Sequence, residues 1–151
     1  MIRWMLDTNA CIAVINQNPP QVRQRLLLTA PDEIAISAIV RYELAYSVCN
    51  SQQPARNQAN LTHFLRYVQV LEWGEAQSVV AAQIRCELAR QGTPIGHCDT
   101  LIAAHARALD VTLITHNTRE FGRIDGLRIE DWALDFTPPE PGQLLPPANA
   151  I

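Results

Sequence analysis

Apolar residues fall along this chain in short runs of strand length and in longer stretches of helical period, and the two kinds alternate. Residues 2–6, Ile-Arg-Trp-Met-Leu, stop abruptly at Asp7-Thr8-Asn9, residues that favour caps and turns. A strand feeding straight into a helix N-terminus is predicted. The helix carries Cys11, Ile12, Val14 and Ile15 until Asn16 to Pro20 break it, and Pro20 reopens a second helix through Leu28. Ile34-Ala35-Ile36 is the next apolar run, with Ser37 placed to cap a helix from Ala38 to Asn50 that carries Glu43 in its second turn. A helix from Pro54 to about Arg66, a strand over 68–71 and a long helix from Glu75 to Gln91, stopped by Gly92, follow. After a loop over 92–96 the pattern is helical from His97 to Leu109 and β-branched from Val111 to Thr115. It then turns sharply over 116–120, and Leu127 to Trp132 is the last ordered piece.

Strands alternating with helices predict an α/β sandwich around a mostly parallel sheet, which binds its ligands beyond the strands' carboxyl ends. Asp7, Asp99 and Asn117 all sit where the chain enters or leaves such an element. One domain over residues 1–135 is expected, followed by a tail over 136–151. Pro138, Pro139, Pro141, Pro146 and Pro147 keep that tail from pairing regularly, and it reads as a flexible end or a partner contact.

At 48% apolar and 18% charged residues the chain can build a core in a soluble protein. No run approaches the roughly 18 apolar residues of a membrane span, and the start lacks the layout of a signal peptide, so a cytoplasmic protein is expected. Cys11, Cys49, Cys86 and Cys98 lie far apart without a C-x-x-C pair and read as buried, reduced thiols. All 12 basic residues are arginine, whose planar fork grips phosphate bidentately, although genome base composition produces the same bias. The net charge of −3 argues against a nucleic-acid partner, but residues 1–119 hold ten arginines against nine acids, and the acidity is concentrated beyond them.

Asp7 stands between an apolar strand and an apolar helix, with no other charge from Trp4 to Arg23; it either caps the helix or works chemically. Glu43, flanked by Ile39, Val40, Leu44 and Ala45, sits beside an apolar face and close to Arg41; an arginine pair or a solvated helix face accounts for it, or else a metal does. Asp99 opens a helix rich in small residues, where the macrodipole alone would stabilise it. Together the three form a set of hard oxygen donors of the kind Mg²⁺ takes, and a metal held there would serve phosphodiester hydrolysis.

These residues resemble the motifs of PIN domains, and specifically the VapC toxins of bacterial toxin–antitoxin pairs. Met5-Leu6-Asp7-Thr8-Asn9 looks like the first acidic motif and residues 36–44, ending Arg41-Tyr42-Glu43-Leu44, like the second. Gly96-His97-Cys98-Asp99-Thr100 and the helix behind it resemble the third motif. Residues 113–121, Leu-Ile-Thr-His-Asn-Thr-Arg-Glu-Phe, resemble the fourth, followed by a Gly-Leu and an Asp-Trp ending. Four ordered matches across nearly the whole chain are a specific signal, whereas a lone D-T-N starts many ordinary turns. Many PIN domains place an aspartate where this chain has Asn117, so the fourth acidic role falls to Glu120 or is filled by Asn117 without charge.

The resemblance implies a PIN-like α/β/α sandwich with four to five strands in residues 1–135. It also implies an endoribonuclease using Mg²⁺, with Mn²⁺ as a substitute. Asp7 and Asp99 would hold the metal, Glu43 and Glu120 would complete the catalytic acids, and Thr8, Thr115 and Asn117 would position substrate. A 3′-hydroxyl and a 5′-phosphate are the implied products, because water is the nucleophile. The substrate would be structured RNA, tRNA above all; a VapB-like antitoxin would silence the site, and a homodimer is usual. Arg41 and Arg119 are candidate RNA contacts or plain solvated residues.

Three rival readings are weighed against this one. A non-catalytic PIN-type RNA-binding or adaptor protein keeps the fold but has no use for intact acids. An aspartyl-phosphate phosphatase needs an acid at the place of Asn9. A zinc hydrolase has no paired spacing among His63, His97, His105 and His116, which read as surface or supporting residues.

Overall fold

The computed structural model describes residues 1–134; the expected tail over 136–151 lies outside them. Five parallel strands form one sheet in the order β3-β2-β1-β4-β5. β1 (Trp4–Leu6) lies at its centre, and Leu6 stands in register with Ile36 of β2 (Ile34–Ser37) and Ile114 of β4 (Thr112–Ile114). Met5, Leu6, Ile34, Ile36 and Leu113 are fully buried, as befits a parallel sheet covered on both faces. β3 (Gln69–Leu71) and β5 (Ile129–Glu130) are the edges.

The helices form where the capping residues place them. α1 (Thr8–Asn16) begins at Asp7, and α2 (Pro20–Leu27) has proline in its first turn. α3 (Ala38–Cys49) begins at Ser37, α4 (Pro54–Phe64) again at proline, and α5 (Glu75–Gln91) ends at Gly92, whose φ of 71° is the left-handed conformation that glycine adopts freely. α6 (His97–Ala108) packs along α5 and against α3, and its Ala103, Ala104 and Ala106 are fully buried, small enough to bring the helix backbone close to its neighbours. A 3-10 turn over Pro31–Glu33 was not signalled by the pattern, and the expected turn over 116–120 contains a short helix, α7 (Thr118–Phe121). Among the described residues no helix is long and apolar enough to cross a membrane.

The chain lays down β1, β2 and β3 outward in one direction, then returns to the other side of β1 for β4 and β5. The order therefore switches between β1 and β4, and the carboxyl ends of those strands open onto the crevice where such sheets bind ligands. Asp7 and Thr115 are the residues that follow these two strands.

Of the four thiols expected to be buried, only Cys11 is; Cys49 and Cys86 are exposed and Cys98 is half-buried. Cys49 closes α3 and Cys86 takes the outer face of α5, so helical spacing alone did not fix which face was covered.

Beneath β2, the Ser37 hydroxyl accepts from the Ile39 N–H at 3.1 Å and meets Nδ1 of the buried His105 at 2.8 Å. Burial lowers the His105 pKa and favours the neutral ring, which shares one proton with the Ser37 hydroxyl in a direction set by the tautomer. Ser37→Ala removes a helix cap and strands a buried imidazole. It should cost about 1–3 kcal/mol in urea unfolding at pH 7, and a loss under about 0.5 kcal/mol would contradict this role.

Candidate active site

Asp7 caps α1 and is buried while it does so. Its Oδ1 accepts from the Ala10 N–H at 2.7 Å, the cap of α1, and yet only 4% of the residue is exposed. Burial pushes its pKa up, hydrogen bonds from the Thr115 hydroxyl and the Ala10 N–H pull it down, and the charges of Glu43 and Asp131 push it up again. Thr115 is itself fixed, accepting from the Asn117 N–H at 3.0 Å.

Glu43 finds its partner in Thr8 rather than in Arg41. The Thr8 hydroxyl donates to Glu43 Oε1 at 2.6 Å, tying the first turn of α1 to α3. The Cys98 thiol also hydrogen-bonds Glu43; burial, then the charges of Glu43 and Asp99, hold that thiol above its usual range.

Asp99 lies in the first turn of α6, where the helix dipole favours an anion. Its pKa is nonetheless raised to about 6, by burial first and then by Asp7, Glu43 and Glu120 in turn. Repulsion and desolvation outweigh the dipole. Glu120 is oriented from within its own segment, its Oε2 accepting from Asn117 Nδ2 at 2.6 Å. Asn117 and Glu120 are thus tied to each other, one as donor and one as acceptor.

The fold gathers Asp7, Glu43 and Glu120 within electrostatic reach of Asp99, and Asp7 within reach of Glu43, with Thr8, Thr115 and Asn117 as hydrogen-bond donors to Glu43, Asp7 and Glu120. Asp7, Glu43 and Glu120 thus each receive a neutral donor, and no ion pair reaches any of the four acids among the described residues. Nor is any group of three acids, histidines or cysteines already closed around a single point. The donor set still suits Mg²⁺, which takes one or two carboxylates and keeps several waters. The histidines are dispersed: His105 is buried under β2, His63 lies edge-on to Tyr67, and His97 is exposed at the start of α6.

Sequence reasoning missed two participants. Asp131, just beyond β5, adds its charge to the field at Asp7, and His116 is tied to it by a 2.8 Å contact between Nδ1 and Oδ2. The signal was present in the Asp-Trp ending, but only the pairing of β5 with β4 brings that ending beside Asp7. Arg41 and Arg119 make no ion pair among the described residues, so neither is committed to an internal acid.

The PIN domain family pattern matches residues 4–127. The chain is 44% identical over 133 residues to the tRNA(fMet)-specific endonuclease VapC of Shigella flexneri, covering 88% of this chain and all of that one. Among solved structures it resembles a chain of the DNA-bound VapBC from Salmonella typhimurium, with a TM-score of 0.83 and 42% identity over 87% of this chain and 99% of that one. A chain of VapBC2 from Rickettsia felis, bound to a promoter DNA fragment, matches with a TM-score of 0.82 and 40% identity over the same shares.

A carboxyl whose pKa is raised in the folded state binds its proton more tightly there, so its stabilising contribution is present below the ordinary value of 3.8 and is lost as pH rises through about 6. Without divalent metal, Tm should therefore fall more steeply from pH 4 to 6.5 in the wild type than in Asp99→Asn. Parallel curves would show that Asp99 titrates as an ordinary carboxylate.

Proposed function

The chain belongs to the PIN-domain family, among the VapC ribonucleases, and from that premise we propose that it is the toxin of a toxin–antitoxin pair. In this reading it is a divalent-metal-dependent endoribonuclease that cuts structured RNA, tRNA above all, and is held silent by a VapB-like antitoxin. The observation that carries the reading is the convergence of four acids from separate segments at the β1/β4 switch, three of them held by neutral donors and none neutralised by an ion pair among the described residues.

Such a cluster repels an RNA phosphate unless a cation joins it. Asp7 and Asp99 are the residues to hold Mg²⁺ or Mn²⁺, since they are the acids whose charged forms the protein penalises most clearly. The chemistry that a bound divalent ion supplies is polarisation of a phosphoryl oxygen and a lowered pKa for the attacking water.

The chain's own groups do the rest. Glu43, fixed by Thr8, would help hold a bound ion and is the group to accept the proton of the attacking water. Glu120, steadied by Asn117, fills the fourth acidic role. Thr115 orients Asp7, and Arg41 and Arg119 are available to the flanking phosphates. Because water and not the ribose 2′-hydroxyl attacks, the products are a 3′-hydroxyl and a 5′-phosphate.

Incubating the antitoxin-free protein with total RNA and purified tRNAs, initiator tRNA included, tests this. Cleavage is expected with Mg²⁺ or Mn²⁺, to stop with EDTA, and to leave 5′-phosphate ends. Asp7→Asn and Asp99→Asn should each lower the rate by at least about 100-fold, more than the 10–100-fold typical of losing a supporting residue. Intact RNA from folded, metal-supplied wild type would instead point to the RNA-binding adaptor.

Thr8→Val provides a finer check, because it removes one hydrogen bond and leaves every carboxylate in place. A fall in kcat of about 10-fold with little change in Tm is expected, whereas an unchanged kcat would mean that Glu43 needs no fixing.

A further inference from the structure

Beside the acids lies a cavity of about 490 Å³, framed by α1, the start of α2 and the segments that follow β4 and β5. Thr115 and Asn117 belong to its wall as well as to the acid cluster, so the two are continuous. Its size is that of a small-molecule site, where apolar walls carry a few polar groups that fix orientation. Ile12, Val22, Ile114 and Trp132 supply apolar wall, and Asn9 and His116 supply polar edge.

Two of these side chains are held more firmly than a solvent-facing wall requires. The His116 side chain is 78% exposed, yet its Nδ1 is bound to Asp131, which is only 7% exposed and whose Oδ1 accepts from the Ala133 N–H at 2.9 Å. A contact this exposed on one side adds little stability, but it fixes the ring and leaves Nε2 outside it. Trp132 is clamped between the edge of Trp4, at 5.8 Å, and the guanidinium of Arg25, at 5.5 Å.

We propose that this cavity receives an unpaired nucleobase of the RNA next to the bond that is cut, with Ile12, Ala13 and Pro19 packing against its face over a floor that includes the buried Trp132, and His116 hydrogen-bonding its edge. A nucleobase has apolar faces and a polar rim, which is what the walls match. No arginine lines the cavity, so a phosphate finds no counter-charge there. RNA is read in this way, by splaying single-stranded bases onto aromatic and imidazole rings and bonding their edges. The identity of the ligand rests on the ribonuclease reading above; the existence of a base-binding pocket does not.

The test uses the full chain without metal, following the Trp132 indole N–H and the His116 ring by NMR during titration with adenosine, guanosine, cytidine and uridine, with ribose as control. Saturable shifts are expected with at least one nucleoside and none with ribose. Ala13→Phe fills the cavity from α1, and His116→Ala changes an exposed position. Each should weaken nucleoside binding by about tenfold, the lower end of what one base stacked on a ring is worth. Absence of nucleoside shifts, equal shifts from ribose, or wild-type affinity in both variants would overturn the pocket. A protein that binds nucleosides here yet cuts no RNA would keep the pocket and lose the nuclease. One that cuts RNA without nucleoside shifts would do the reverse.

Discussion

Mutual repulsion among Asp7, Glu43, Asp99 and Glu120 is the constraint around which the rest of this structure is arranged. Like charges brought together at the carboxyl end of a parallel sheet oppose folding, and burial first and that repulsion second raise the pKa of Asp99 to about 6. The protein accepts the cost at one place only. Elsewhere the consistency is close: α1 and α3 begin at capping residues, the central strand β1 is wholly apolar, and the glycine that ends α5 has the left-handed φ it permits.

The acids are kept apart and oriented by neutral donors. Thr8, Thr115, Asn117, the Ala10 N–H and the Cys98 thiol each give a hydrogen bond to a carboxylate. An arginine in their place would have neutralised the site and removed its affinity for a divalent ion. Neutral donors fix geometry while leaving the negative potential intact, and that separation of position from charge suits a site that a cation completes.

The surroundings of the acids are unevenly built. On one side α3 and α6 bring up Glu43 and Asp99 together with the Cys98 thiol; on the other, α1 and the segments after β4 and β5 leave an apolar-walled cavity edged by His116. The switch in strand order accounts for this asymmetry. Between β1 and β4 the connections diverge to opposite sides, leaving room beside Asp7 that neighbouring consecutive strands would have closed.

The sequence by itself determined most of the elements, because apolar period and capping chemistry are local properties. Asp7 and Ser37 announced two helices, Gly92 ended a third, and the four motif matches pointed to the acids and to the family. It could not decide what is set by pairing over distance. Whether Glu43 would meet Arg41 or Thr8 depended on α1 packing beside α3, and which cysteines would be covered depended on which helix faces met the sheet. Asp131 and His116 joined the site only because β5 pairs with β4 and delivers its end beside Asp7. The carboxylates were legible as residues, but their shared field exists only in three dimensions, since Coulomb interaction and burial act between atoms that the chain order keeps far apart.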